Sequence, residues 1–202
     1  MNIHTIILAG GKGTRMLSQK AKVLQVLGGI TMLNHVMTAA NKISNKISVV
    51  VGFDKEAVEE EIKKIGINAN TFLQKEQIGT ADAVKTTLKD IDKNEKILIL
   101  YGDVPLIKEE TLKKLCNQES DLSILTTNLE NPTGYGRTLK DKENNVLGII
   151  EEKDADSEQK KIKEIFTGIL VAKGSVLKKY IPEINNNNSA KEFYLTDLIG
   201  IA

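Results

Sequence analysis

The chain alternates short, unbroken apolar runs with stretches whose apolar residues recur every three or four positions. An unbroken run marks a strand covered on both faces, and the three-four spacing marks an amphipathic helix. Thr5 to Leu8 predicts a buried strand, and Thr31 to Ile43 a helix with Leu33, Val36, Met37 and Ala40 on one face. Ile47 to Val51 predicts a second strand, ended by Gly52, and Lys55 to Ile65 a charged helix stopped by Gly66. A weaker strand over Asn70 to Gln74 is followed by a helix over Thr80 to Ile91 and a strong strand over Lys96 to Tyr101. Lys108 to Cys116 reads as a helix and Asp121 to Thr127 as a strand. Parallel strands need long crossovers, so this alternation predicts an α/β chain: a parallel sheet with helices on both faces.

The rhythm changes after Leu129. Residues 131–137 are turn-rich, and Val146 to Glu152 and Phe166 to Ala172 read as strands with no full helix between them. The charged stretch from Asp154 to Lys163 predicts a surface loop or exposed helix, and Asn185 to Asn188 a solvated loop. Phe193 to Ala202 begins a helix. This half is expected to extend the same sheet as a mixed one.

Composition narrows the function. The 202 residues carry 28 Lys plus Arg against 27 Asp plus Glu, a net charge of +1. A nucleic-acid binder would show a basic excess, so none is expected as a partner. No stretch approaches the roughly 20 apolar residues of a membrane span. The N-terminal apolar run is too short for a signal peptide, so no membrane association and a cytoplasmic location are expected. Cys116 is the only cysteine, which excludes an internal disulfide and any paired-cysteine metal motif. It reads as a helix-face core residue, and the two histidines, His4 and His35, are assigned no chemistry.

Candidate chemistry concentrates in Leu8-Ala9-Gly10-Gly11-Lys12-Gly13-Thr14-Arg15-Met16, directly after the first strand. Glycines let main-chain N–H groups approach a phosphate, and Lys12 and Arg15 add charge at the same place. Neither standard nucleotide motif applies. The P-loop needs Ser or Thr after its lysine, where Gly13 stands, and the dinucleotide fingerprint needs glycine where Met16 stands.

The loop resembles the signature of the sugar-1-phosphate nucleotidyltransferases. Lys22, in Lys20-Ala21-Lys22-Val23-Leu24, matches the family lysine that follows it. Three further stretches agree: residues 74–81 (QKEQIGTA), 101–106 (YGDVPL) and 132–137 (PTGYGR). Together they are most similar to the uridyltransferase domain of the bifunctional N-acetylglucosamine-1-phosphate uridyltransferases. The resemblance implies a Rossmann-like, three-layer α/β/α nucleotide-diphospho-sugar transferase fold on a mostly parallel mixed sheet. It implies one domain over residues 1–202, with a nucleotide-binding half over 1–130 and a sugar-binding half over 131–202.

It also implies a reaction: a sugar-1-phosphate, N-acetylglucosamine-1-phosphate above all, attacks the α-phosphorus of UTP, and pyrophosphate leaves. On that reading Leu8, Ala9, Gly10 and Gly11 lie against the nucleotide, with Tyr101 and Gly102 beside them. Arg15 stabilises the leaving pyrophosphate and Lys22 holds phosphate near the reacting centre. Gln74, Gly79 and Thr80 read the uracil edge, since a side-chain amide both donates and accepts. Asp103, at the C-terminal end of a strand, would hold Mg²⁺, and Gly136, Glu151 and Thr196 would border the sugar. Residue-level alternatives stay open: a turn or cap role for Asp103, a solvated charge for Glu151, a helix N-cap for Thr196.

Three departures from the family pattern carry consequences. Ala21 replaces a proline before the lysine, which predicts a less pre-organised Lys22. Phe166 stands where an asparagine faces the sugar, so either the sugar differs or its binding has decayed. The chain ends at Ala202, before the family's second magnesium ligand and its trimerising acetyltransferase domain. That leaves self-association, or a partner chain at the C-terminal edge, open, together with a nucleotide-binding remnant that no longer turns over, or an enzyme for another sugar or base.

Overall fold

A computed structural model describes residues 2–13, residue 18 and residues 20–202. At its centre is an eight-stranded mixed sheet. Four strands are mutually parallel: β1 (Ile3–Leu8), β4 (Lys46–Val51), β5 (Asn70–Leu73) and β6 (Lys96–Tyr101). The later strands are β7 (Leu122–Asn128), β8 (Arg137–Lys140), β9 (Val146–Ile150) and β10 (Glu164–Lys173). Along the sheet the order is β5-β4-β1-β6-β10-β8-β9, with β7 also paired to β10. A small hairpin of β2 (Val26–Leu27) and β3 (Ile30–Thr31) stands apart.

Helices cover both faces. Leu33, Val36, Met37 and Ala40 of α1 (Met32–Asn41) pack with α2 (Lys55–Ile65) and α4 (Glu109–Cys116) against Ile7, Val49, Leu98 and Leu100. On the opposite face α3 (Thr80–Lys85), α5 (Gly174–Tyr180) and α6 (Asp197–Ile201) pack against Ile6, Val50, Ile97 and Ile99. Successive strand residues point to opposite faces, so a sheet covered on both needs apolar residues at consecutive positions. The unbroken runs of β1, β4 and β6 are that requirement written in sequence. α1 begins where its cap does: the Thr31 hydroxyl accepts from the Asn34 N–H at 3.1 Å. Cys116 is buried on the core face of α4, and burial pushes its thiol up to about 11, which keeps it unreactive.

Several boundaries differ from the sequence reading. The helix expected over Thr80 to Ile91 ends at Lys85 and continues as turns. The Thr86 and Thr87 hydroxyls donate to the carbonyls three residues back, at 2.7 Å each, and tighten the chain there. The long β10 runs antiparallel between β6 and β7. β8 and α5 were not anticipated; β8 begins at Arg137, the last residue of the stretch read as turns. The charged Asp154 to Lys163 stretch is turns with a short 3-10 helix at Gln159–Lys161.

His4 and Ser48 are neighbours on β1 and β4, both fully buried, with His4 Nε2 2.8 Å from Ser48 Oγ. Burial, then the Lys46 ammonium, holds the His4 imidazole below its usual value. The pair sits towards the start of the strands, at the opposite end from the cleft. His35 holds the hairpin, its ring 2.8 Å from the Leu27 carbonyl. Among the described residues no helix is long and apolar enough to cross a membrane.

Candidate active site

The parallel strands β1, β5 and β6 end at one edge of the sheet, and the segments that leave them enclose a cavity of about 420 Å³. Its lining includes Leu8, Gly10, Gly11 and Gly13 after β1, Gln74, Gly79 and Thr80 after β5, and Tyr101 and Asp103 after β6. Lys22 enters from the short 3-10 turn Lys22–Leu24. Ten residues singled out from the sequence therefore meet at the carboxyl ends of the strands, where open α/β sheets place their ligands. Ala9 and Gly102 do not line the cavity. Ala9 is buried in the core and donates to the Val50 carbonyl at 2.8 Å, and Gly102 donates to the Leu8 carbonyl at 2.9 Å. They hold the loop from below. Arg15 lies outside the described residues, and the Lys12 ammonium sits 5.6 Å from the Phe53 ring centroid, away from the cavity lining.

Two of the charged side chains that line the cavity are paired. Lys22 Nζ lies 2.5 Å from Asp103 Oδ2, with the side chains 39% and 24% exposed. An ammonium and a carboxylate held together at a cleft mouth, both still open to solvent, can be separated by a ligand that supplies the opposite charge to each. Lys22 is also held from behind. Ala21 has φ −51°, close to the angle a proline would impose, and its N–H donates to Asp54 Oδ2 at 3.3 Å. A proline has no N–H to make that bond. The expectation that losing the proline loosens Lys22 is corrected here: the replacement keeps the backbone angle and gains an anchor.

Gln74 is buried, and its Nε2 donates to the Gly79 carbonyl at 2.9 Å and to Asp82 Oδ2 at 3.0 Å. Its Oε1 faces Gly10: a methyl group at Gly10 would come within 3.1 Å of that oxygen, so the loop passes close enough that any side chain there would crowd Gln74. Gln77 and Glu192 also line the cavity, and neither was anticipated. Both belong to loops whose position only the packed chain determines.

The three residues assigned to the sugar form a second cluster. The Thr196 hydroxyl donates to Glu151 Oε1 at 3.0 Å, and Gly136 lies directly against the Glu151 carboxylate. Thr196 precedes α6 but makes no capping bond, because its hydroxyl is turned to Glu151. Nor is Glu151 a freely solvated charge: burial pushes its carboxyl up, and the Thr196 hydrogen bond offsets part of that. Tyr101 stands between the two clusters. Burial drives its phenol far above its usual range, and the carboxylates of Glu151 and Asp103 push the same way, so it stays protonated. Phe166 does not line the cavity. It is buried among Ile149, Leu195 and Leu198, and its N–H donates to the Gly136 carbonyl at 3.0 Å.

Arg137, at the end of the Pro-Thr-Gly-Tyr-Gly-Arg stretch, is a scaffold for this cluster. It is buried, bonded through Nη1 to the Tyr135 carbonyl and 2.6 Å from Glu152 through Nη2. That fixes the turn from which Gly136 reaches Glu151.

The profile of the MobA-like NTP transferase domain matches residues 5–158, a span holding the glycine loop, Lys22, Gln74, Asp103 and Glu151. The chain belongs to this family. It is 45% identical over 203 residues to the bifunctional protein GlmU of Ruthia magnifica, and 46% identical over 205 residues to that of Francisella tularensis subsp. novicida. Each match takes in 100% of this chain and 44% of the relative, so the chain spans less than half the length of these relatives. The fold is shared with a UDP-glucose pyrophosphorylase crystallised with UDP-glucose, at a TM-score of 0.81 and 16% identity, covering 100% of this chain and 86% of that one. The expected NTP-transferase family and Rossmann-like architecture are both met. Within the family frame, the sheet edge described above is the site of interest.

Proposed function

We propose that this chain joins UTP to a sugar-1-phosphate, N-acetylglucosamine-1-phosphate being the first candidate, releasing pyrophosphate and a UDP-sugar. The observation that carries the reading is the Lys22–Asp103 pair set across a cavity walled by the glycine loop. It supplies one group for a phosphate and one for a cation at the same spot. The GlmU similarity supports the uridine and hexosamine assignments.

The donor set suits magnesium. Asp103 offers a hard oxygen, and the described residues contain no group of three or more His, Cys, Asp or Glu able to hold a metal. Magnesium commonly takes one or two carboxylates, keeps waters and borrows substrate phosphates. Asp103 would hold it, and a cation there would supply positive charge against the phosphates. Released from Asp103, Lys22 turns its ammonium to the phosphates. The loop amides of Gly10 and Gly11 support the triphosphate, with Arg15 assigned to the leaving pyrophosphate by the family resemblance alone. Gln74, Gly79 and Thr80 hold the base, while Glu151 accepts from sugar hydroxyls with Thr196 orienting it. The chemistry asked of the protein is positioning and charge neutralisation for an in-line displacement. The half over residues 1–130 would then serve the nucleotide and that over 131–202 the sugar.

A second reading is nucleotide binding without turnover, or turnover of another sugar. Phe166 favours it, because the side chain at this position is an apolar ring buried in the core and supplies no hydrogen bond to a sugar. Pyrophosphate release from UTP and Mg²⁺ with a panel of sugar-1-phosphates separates the two. Turnover with N-acetylglucosamine-1-phosphate is expected. Saturable UTP binding with no release for any sugar would replace the enzyme by the binding protein.

A further inference from the structure

We propose that Asp82 is the residue that sets base selectivity, by fixing which way round the Gln74 amide stands. The proposal rests on the uridine reading above. An amide side chain presents an acceptor on one side and two donors on the other, and its direction follows from its neighbours. Gln74 Nε2 meets two groups: the Gly79 carbonyl at 2.9 Å and Asp82 Oδ2 at 3.0 Å. A main-chain carbonyl and a carboxylate only accept. Turned the other way, the amide would set its oxygen against two acceptors and lose both bonds, one of them to a charged partner. Gln74 is 4% exposed, so no water shell is at hand to absorb that reversal.

The consequence appears on the cavity side. Gln74 lines the cavity, its Oε1 points towards Gly10, and among the described residues nothing donates to that oxygen. The site therefore offers a fixed acceptor and asks the ligand for an N–H. The ring imide of uracil has one. The corresponding ring nitrogen of cytosine carries a lone pair and meets the Gln74 oxygen as a second acceptor. Were the amide free to turn, it would present its NH₂ to cytosine and serve both bases. Asp82 sits in the first turn of α3, outside the cavity lining, and acts only through Gln74. It is a positioning residue.

The test compares UTP and CTP binding, each with Mg²⁺, by calorimetry for the wild-type chain, Asp82→Ala and Asp82→Asn. Asp82→Ala removes an acceptor, and the UTP-over-CTP preference is expected to fall about tenfold, mainly through tighter CTP binding. Asp82→Asn keeps an acceptor oxygen of the same size and is expected to stay within about threefold of wild type. A general loosening of the fold would instead weaken both nucleotides together, and thermal melts of each variant report it separately. The proposal is overturned if Asp82→Ala keeps the wild-type preference, if it weakens both nucleotides equally, or if Asp82→Asn loses the preference as fully as Asp82→Ala. A wild-type chain that binds neither nucleotide would sink the uridine reading itself, and the role of Asp82 with it. A wild-type chain that prefers UTP alongside an unaltered Asp82→Ala would sink only the latter.

Discussion

Gly79→Ala is the substitution whose effect the structure specifies most fully. Gly79 has φ 137° and ψ 167°, a backbone region that is essentially glycine's alone. A Cβ there would lie 2.3 Å from the Phe193 carbonyl oxygen and 2.5 Å from the Phe193 nitrogen. Both are main-chain atoms, so no rotamer relieves the clash. Residues 193–195 are zipped to this turn: Phe193 N–H donates to the Ile78 carbonyl at 2.8 Å, Ala81 N–H to the Phe193 carbonyl at 2.9 Å, and Leu195 N–H to Thr80 Oγ1 at 2.9 Å. Holding alanine at such angles costs about 1–3 kcal/mol. Parting two of those bonds costs about 1 kcal/mol each. The smaller unfolded-state entropy of alanine returns about 0.4–1 kcal/mol. The net expectation is a loss of about 2–5 kcal/mol, a large share of the roughly 5–15 kcal/mol typical of a folded domain.

Urea titration is the direct assay. With a slope of about 2–3 kcal/mol per molar for a chain of this size, the midpoint should drop by about 0.7 M or more. UTP binding should weaken as well, since the displaced strap begins at Glu192 in the cavity wall and runs on to Thr196. A midpoint within about 0.2 M of wild type, with unchanged UTP affinity, would refute the claim that this turn pins the strap.

Two further outcomes follow from the charges of the site. Lys22→Met should weaken UTP binding at least about tenfold while moving the melting temperature by no more than about 4 °C, because a partly exposed ion pair contributes only about 0–1 kcal/mol to folding; a large stability loss with unchanged affinity would contradict this. The Glu151 carboxyl is raised by burial, so on acidification it takes up its proton at a higher pH than the usual value of about 4.3. Affinity for the UDP-sugar, whose diphosphate keeps its charge over that interval, should therefore be full above the raised value and fall as pH drops through it. Glu151→Gln should remove that dependence in a pH series of calorimetric titrations, and a wild-type profile flat down to pH 4 would count against the assignment.

Much of the candidate site was legible because its signals are local. The glycine loop, Lys22, Gln74, Gly79, Thr80, Tyr101 and Asp103 each follow or flank a strand-like run, and parallel strands deliver their carboxyl ends to one edge. Glu192 and Gln77 carry no such mark, since an acidic or amide side chain in a polar loop looks like any solvated residue. Ala21 misled because proline's absence was visible and the N–H bond to Asp54 was not. Phe166 was read as facing the sugar from its place in a motif, yet the register shift in β10 between Phe166 and Leu170 accompanies a side chain turned into the core.

Taken alone, the sequence determined the parallel core strands, the buried face of α1, the Gly66 stop of α2, the glycine-rich loop after β1 and the family. These depend on neighbours within a turn or a strand, where periodicity and backbone preference act directly. Tertiary structure decided that β10 separates β6 from β7, that Thr196 turns its hydroxyl to Glu151, that residues 193–195 lock onto the Gly79 turn, and that Asp82 orients the Gln74 amide. Hydrogen-bond direction between groups far apart in the chain exists only once packing has brought a donor and an acceptor within 3 Å of each other.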